Sequence, residues 1–181
     1  WGSFLQSPMH NAGVRCSDCH EPHSLALRRP GNALCTECHA PDVYDVARHH
    51  GHAPNSAGSA CVSCHMPERT YMQVDVRGDH AFPVPRPRIS EAISSPTVCA
   101  TCHAKQSADW AVRAIESGAV GGRDPDAPRV PHWTDALVDR EGTPRSDAKR
   151  WLEIASDARF PELIRASAWA RYAAEASGAP P

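Results

Sequence analysis

Apolar residues follow a clear helical repeat only toward the C-terminal end of this 181-residue chain. Ala148, Trp151, Leu152 and Ala155 fall at i, i+3, i+4 and i+7, the stripe of an amphipathic helix. Thr143 and Pro144 ahead of them read as an N-cap and a first helical position. A second helix is predicted from near Pro161, with Ile164, Ala168 and Tyr172 on one side and a stop at Gly178. Residues 143–181 therefore read as an α-helical hairpin. One hairpin cannot bury both its apolar faces, so it must dock on the rest of the chain or on further repeats. Lys105 to Ser117 reads as another helix, ended by Gly118, and a Gly/Pro-rich stretch from Gly121 to Pro131 opens a linker over 121–142.

The first 120 residues lack that periodicity. Between Thr70 and Arg77, Met72, Val74 and Val76 alternate with Gln73, Asp75 and Arg77, which predicts a short strand with one buried face. Phe82 to Arg88, with Pro83, Pro85 and Pro87, predicts extended polyproline-like chain. Composition sharpens the problem: 41% of residues are hydrophobic and 6% aromatic, against 17 Pro and 11 His, too few large apolar side chains for an ordinary core. Covalently held cofactors with broad apolar faces would fill such an interior and staple a loop-rich backbone. The net charge of −2 speaks against nucleic acid as a partner. No segment approaches the run of about 18 apolar residues needed for a membrane span, and no signal-like segment opens the chain. The expectation is a mature form or a fragment.

All eight cysteines fall in four pairs, each followed at once by histidine. They are Cys16, Cys19 and His20; Cys35, Cys38 and His39; Cys61, Cys64 and His65; and Cys99, Cys102 and His103. CxxC pairs serve zinc ribbons, redox dithiols or c-type haem attachment, and the histidine separates these. Four such histidines by chance would be an event of order one in 10^5, so haem is the reading the motif supports. The two thiols sit at the separation of the two porphyrin vinyl groups, and the adjacent imidazole can reach the iron from the proximal face. Four haem c groups are expected. Haem attachment to CxxCH takes place outside the cytoplasm, so the protein is expected to be exported.

Each iron has a sixth position, and seven further histidines compete for it: His10, His23, His49, His50, His52, His80 and His132. His23 lies three residues after His20, a span of at most about 11 Å, too short to reach the far face of the same iron. It would have to serve a neighbouring haem. Within His49-His50-Gly51-His52, one or two ligands fit but not all three. The distal set is read as His10, His23, His52 and His80, with His50 and His132 held in reserve or as ligands to a haem in another chain. Met9, Met66 and Met72 are rival ligands, although Met66 adjoins His65 and cannot cross to the opposite face. Arg69, Arg77, Arg86 and Arg88 are candidates to pair with haem propionates.

The run from Met9 through Cys16-Ser17-Asp18-Cys19-His20 and His23 to Leu34-Cys35-Thr36-Glu37-Cys38-His39 resembles the doubled CxxCH motif of bacterial multihaem cytochromes. Cys64-His65-Met66-Pro67 to Met72, and Asp79-His80-Ala81-Phe82 to Arg88, are similar to exported multihaem cytochromes with C-terminal helical repeats. That resemblance implies a multihaem cytochrome c fold, mostly loops and short helices around four haems, with little β-structure. It also implies further haem sites upstream and more repeats downstream. The implied function is electron transfer in the periplasm or outside the cell, with redox proteins as partners and a filament of copies as a variant. A second resemblance, to reductases of nitrite or hydroxylamine, would cast Arg69, Tyr71 and His80 around an open iron. The lysine-ligated haem site of those reductases is absent.

Overall fold

The computed structural model describes residues 1–121, 133–136 and 148–178. His132, the predicted cap at Thr143 and Pro144, and most of the predicted linker lie outside the described residues. The first half is a succession of one-turn helices: α1 (Pro8–Asn11), α2 (Cys16–Cys19), α3 (Asn32–Cys35), α4 (Pro41–Tyr44), α5 (Ala47–His50) and α6 (Cys61–His65). Strands β1 (Glu68–Tyr71) and β2 (Asp75–Gly78) follow, then α7 (Pro87–Ala92) and α8 (Ala108–Glu116). The chain ends in α9 (Ala148–Ser156) and α10 (Glu162–Ala176). It is helix-rich, with short irregular elements and little sheet, as expected for a fold built around groups that are not side chains.

Burial makes the same point. Among residues 1–110 only Phe4, Ser7, Ser59 and Pro87 are buried. Two apolar side chains contribute far too little to offset the backbone entropy of ordering a hundred residues, at about 1–2 kcal/mol each. This region needs another source of apolar surface. The side-chain core lies at the other end, where Trp151, Ile154 and Ala155 of α9 meet Phe160, Ile164 and Ala168 of α10, flanked by Trp133 and Tyr172. The two helices run antiparallel, since Trp151 near the start of α9 donates its indole N–H to Glu175 near the end of α10 (2.9 Å). Burying such side chains is worth roughly 1.5–3 kcal/mol each for the larger ones. The 3₁₀ turn Phe4–Gln6 packs on α10, and Asn11 Nδ2 donates to Arg159 O at 3.5 Å, so the chain's two ends meet.

The predicted strand at Thr70–Arg77 is corrected to an antiparallel hairpin pairing Glu68 with Gly78 and Tyr71 with Asp75. Its apolar residues are not buried: Met72 is 90% and Val74 86% exposed. Val74 N–H donates to Tyr71 O (3.1 Å) across a turn whose central residues, Met72 and Gln73, both have positive φ. That is the primed-turn geometry that matches strand twist. No glycine marks it, so alternation alone reads as one strand. The predicted polyproline run is also shortened, because Pro87 sits at the first turn of α7.

Between α9 and α10, Asp157 accepts from the Arg159 backbone N–H (2.9 Å) and its guanidinium (2.6 Å). Those bonds hold the Asp157 carboxyl at about 2, below its ordinary 3.8. A depressed folded-state pKa gives stability that is complete above the unfolded value and lost as pH falls through the folded one. The melting-temperature difference between the native chain and Asp157→Asn, small because the pair is exposed, is expected to be constant above pH 5 and to close between about pH 4 and 2. Thermal denaturation followed by circular dichroism measures it.

Candidate functional site

Each Cys-x-x-Cys-His motif begins on a turn of helix, and this brings its two sulfurs to one side. The histidine backbone N–H closes the turn onto the first cysteine's carbonyl in three motifs: His20 to Cys16 (2.8 Å), His39 to Cys35 (3.0 Å) and His103 to Cys99 (2.9 Å). In the third motif, Cys61 to His65 are all within α6. All eight cysteines are free thiols, standing where thioether sulfurs to a porphyrin would be. Among the described residues no three metal-ligating side chains cluster, a donor arrangement that suits an iron already holding four porphyrin nitrogens better than a zinc ribbon.

Three of the four motif histidines face a second histidine. Ring centroids are 6.3 Å apart for His20 and His80, 6.0 Å for His65 and His49, and 5.9 Å for His103 and His52. Metal–imidazole bonds of about 2.0–2.1 Å, plus about 1 Å from nitrogen to ring centre, put two rings on one iron about 6 Å apart. Four of these six rings are also fixed in tautomer. Nδ1 of His20 contacts Leu25 O (2.8 Å), that of His65 contacts Pro83 O (3.0 Å), and that of His80 contacts Gly78 O (2.9 Å). His52 Nδ1 lies on His50 O. A carbonyl can only accept, so each Nδ1 carries the proton and each Nε2 keeps its lone pair for a metal. Burial, followed by the neighbouring His65, lowers the His49 imidazole from its ordinary value. The residues present fit haem.

The cysteines of successive motifs also lie within electrostatic range of one another. Burial pushes the Cys35 thiol up to about 11, with the adjacent Cys61 next and Cys19 adding to it. Burial raises Cys19, with Asp18 and then Cys38 contributing; it raises Cys64, with Cys99 and Cys102 contributing. The elements that open motifs two and three, α3 and α6, pack on each other, and α6 packs on the 3₁₀ turn Val98–Thr101 that opens motif four. Asn32, at the start of α3, ties the middle pair: its Oδ1 accepts from Cys61 N–H (2.9 Å) while its Nδ2 donates to Ser59 O (3.0 Å) and Asp45 (2.8 Å). A cleft of about 640 Å³, lined in part by Trp1, Phe4, His10, Cys16, His20 and Leu25, opens beside the first motif, within the size range of cofactor sites.

Of the predicted distal set, the structure brings His52 and His80 opposite motif histidines. His10 instead packs between Trp1 (6.0 Å) and Phe4 (5.3 Å), and His23 is exposed on a loop whose N–H groups Glu21 caps (2.9 and 2.7 Å). His50 adjoins His52, at 6.4 Å. His49, left out of that set, faces His65. The signal lay in Gly51, which ends α5 in the left-handed conformation (φ 72°) and turns His52 away from the helix that carries His49. Two aromatic neighbours of these histidines were also missed: Trp110 of α8, 4.7 Å from His103, and Tyr44 of α4, against His39 and His49.

The arginines divide. Arg88 pairs with Glu116 (2.9 Å), and Arg77 pairs with Asp75 and lies 5.8 Å over the Tyr71 ring. Arg69 and Tyr71 sit on the exposed strand β1, and His80 faces His20. No helix among the described residues is long and apolar enough to cross a membrane.

The family described as "Doubled CXXCH motif" matches residues 8–44, which span the first two motifs. The chain is similar to the multiheme cytochrome MtrA of Shewanella baltica (strain OS185), at 26% identity over 108 residues. That alignment covers 58% of this chain and 28% of the relative, so the chain matches under a third of that protein's length. No solved structure matches.

Proposed function

We propose that this chain, a multihaem c-type cytochrome with a doubled CxxCH motif, carries electrons along a row of four covalently bound haems. The observation that supports this best is the packing of α6, which carries motif three, on α3 of motif two and on the 3₁₀ turn of motif four, with the cysteines of motif one in electrostatic range of motif two. Bound haem supplies a reversible one-electron Fe(III)/Fe(II) couple. The residues do the rest. Cysteine pairs at 16/19, 35/38, 61/64 and 99/102 would anchor the haems, His20, His39, His65 and His103 would hold the irons, and His80, His49 and His52 would supply the second imidazole for three of them. The sixth position on the iron of His39 falls to His10 or His23, both on the segment that carries motif one. Imidazole on both faces of each iron would leave none open for a substrate and would keep the potentials low.

Residues 1–120 form the haem domain and 143–181 a helical repeat joined through the 121–142 linker. The repeat rests on the Phe4–Gln6 turn, which sits beside the first motif. The protein works in the periplasm or outside the cell and hands electrons to and from redox proteins at the ends of the row. Copies or larger haem proteins meeting end to end would extend it.

Intact mass and electron paramagnetic resonance of the matured protein test this. The expected result is the polypeptide plus four haems, all low-spin. A high-spin signal from a stoichiometric haem would overturn the closed-site reading in favour of the nitrite- or hydroxylamine-type reductase, and fewer than four haems would overturn the row.

A further inference from the structure

Tyr44 is in ring contact with two histidines, one inside a haem motif and one facing the histidine of the next. Its ring meets His39 of motif two at 5.6 Å and 84°, and His49 at 5.3 Å and 87°. His49 in turn faces His65 of motif three. The file His39, Tyr44, His49, His65 therefore runs from one proximal ligand, through an aromatic ring set edge-on to both neighbours, to both ligands of the next iron. Edge-to-face contact suits the ring quadrupole, so each imidazole has a preferred plane against Tyr44.

The backbone beneath Tyr44 is anchored to both motifs. Pro41 opens α4 two residues after His39, and Asp45 N–H closes the turn on Pro41 O (2.9 Å). The Asp45 side chain accepts from Asn32 of α3, and the same Asn32 accepts from Cys61 N–H at the head of α6. Tyr44 is thus held at the junction by one network that reaches the attachment cysteines on both sides.

We infer that Tyr44 is a positioning residue shared by the second and third haems, fixing the planes of the axial imidazoles His39 and His49 together. Imidazole plane governs the low-spin signature and tunes the potential of the iron it ligates, the role that outer partners of a ligating histidine play generally. The inference rests on the haem-ligation reading above.

Tyr44→Ala, Tyr44→Leu and Tyr44→Phe, each matured with haem and compared with the native protein by electron paramagnetic resonance and a potentiometric titration, separate the outcomes. Removing the ring, in either the Ala or the Leu variant, is expected to shift the signals and potentials of two haems of the four and leave the other two in place. One of the two must be the signal lost when Cys61 and Cys64 are replaced. Tyr44→Phe, which keeps the ring, is expected to retain the native spectrum. Signals unmoved in both ring-less variants, a shift confined to one haem or spread over all four, or the same shift in Tyr44→Phe would each overturn the inference. If the native protein itself lacks four low-spin haems, the underlying reading fails instead, and that is seen before any variant is made.

Discussion

Replacing Cys61 and Cys64 together by alanine is expected to remove one haem and divide the row into two parts that no longer exchange electrons at the native rate. Motif three stands inside the row, since its helix α6 packs on α3 of motif two and on the 3₁₀ turn Val98–Thr101 of motif four. The same pair of substitutions at Cys99 and Cys102 removes a haem from the end and leaves three in contact. Equal loss of mass with unequal loss of conduction is therefore the expected signature. It can be read by reducing each protein from a single bound donor and following the haem absorbance with time. The middle deletion would also remove the link that a haem held by both His49 and His65 makes between them. By the chain-entropy rule a cross-link over about 15 residues is worth about 3 kcal/mol. Residues 1–110 bury only Phe4 and Pro87 as apolar side chains and have little else to offset that loss, so denaturant unfolding should register it in full. Equal conduction in the two double variants would refute that place for motif three.

What could be read from the residues alone divides along a physical line. Attachment chemistry is local: two thiols and an imidazole within five residues of one turn define it, and Cys16 to His20 needs no knowledge of the fold. Helix periodicity is local too, so burial of Trp151, Ala155, Ile164 and Ala168 follows from spacing. The partner of each iron is not local. Spacing limits how far His23 can reach but says nothing of which face His49 or His80 will meet, and His80 stands sixty residues from His20 in the chain yet opposite it in space. The exposed hairpin at Met72 and Val74 eluded prediction for a related reason, since a turn with positive φ at Met72 and Gln73 carries none of the glycine or asparagine that ordinarily marks one. The missing core was legible as a deficit in composition. Where the deficit falls, in the stretch carrying all four motifs and not among the C-terminal helices, needed the structure.

Gly58→Ala is expected to convert one haem of four to the high-spin state while leaving all four attached. Gly58 lies in the 3₁₀ turn Ala57–Ser59 ahead of the third motif, and the ring of His52, which faces His103, packs on it. A Cβ at Gly58 would stand 2.5 Å from His52 Cγ and 2.7 Å from Nε2, distances that no side chain tolerates. The contact is held from both sides. His52 Nδ1 is held on His50 O and its backbone N–H donates to His50 Nδ1 (3.1 Å), while the turn is fixed by Asn32 bonding Ser59 O (3.0 Å). Overpacking of this kind costs about 1–3 kcal/mol, enough to push the ring off the iron axis while the backbone stays folded. The fourth iron then loses its distal ligand, and added imidazole should return it to low spin. Gly2→Ala, where the new methyl meets nothing, serves as the control. His52→Ala should give the same high-spin haem, and the double variant should add nothing to it, because both changes act at one bond. A fully low-spin Gly58→Ala protein would sink the assignment of His52 to the fourth haem and would reopen the choice between His52 and His50.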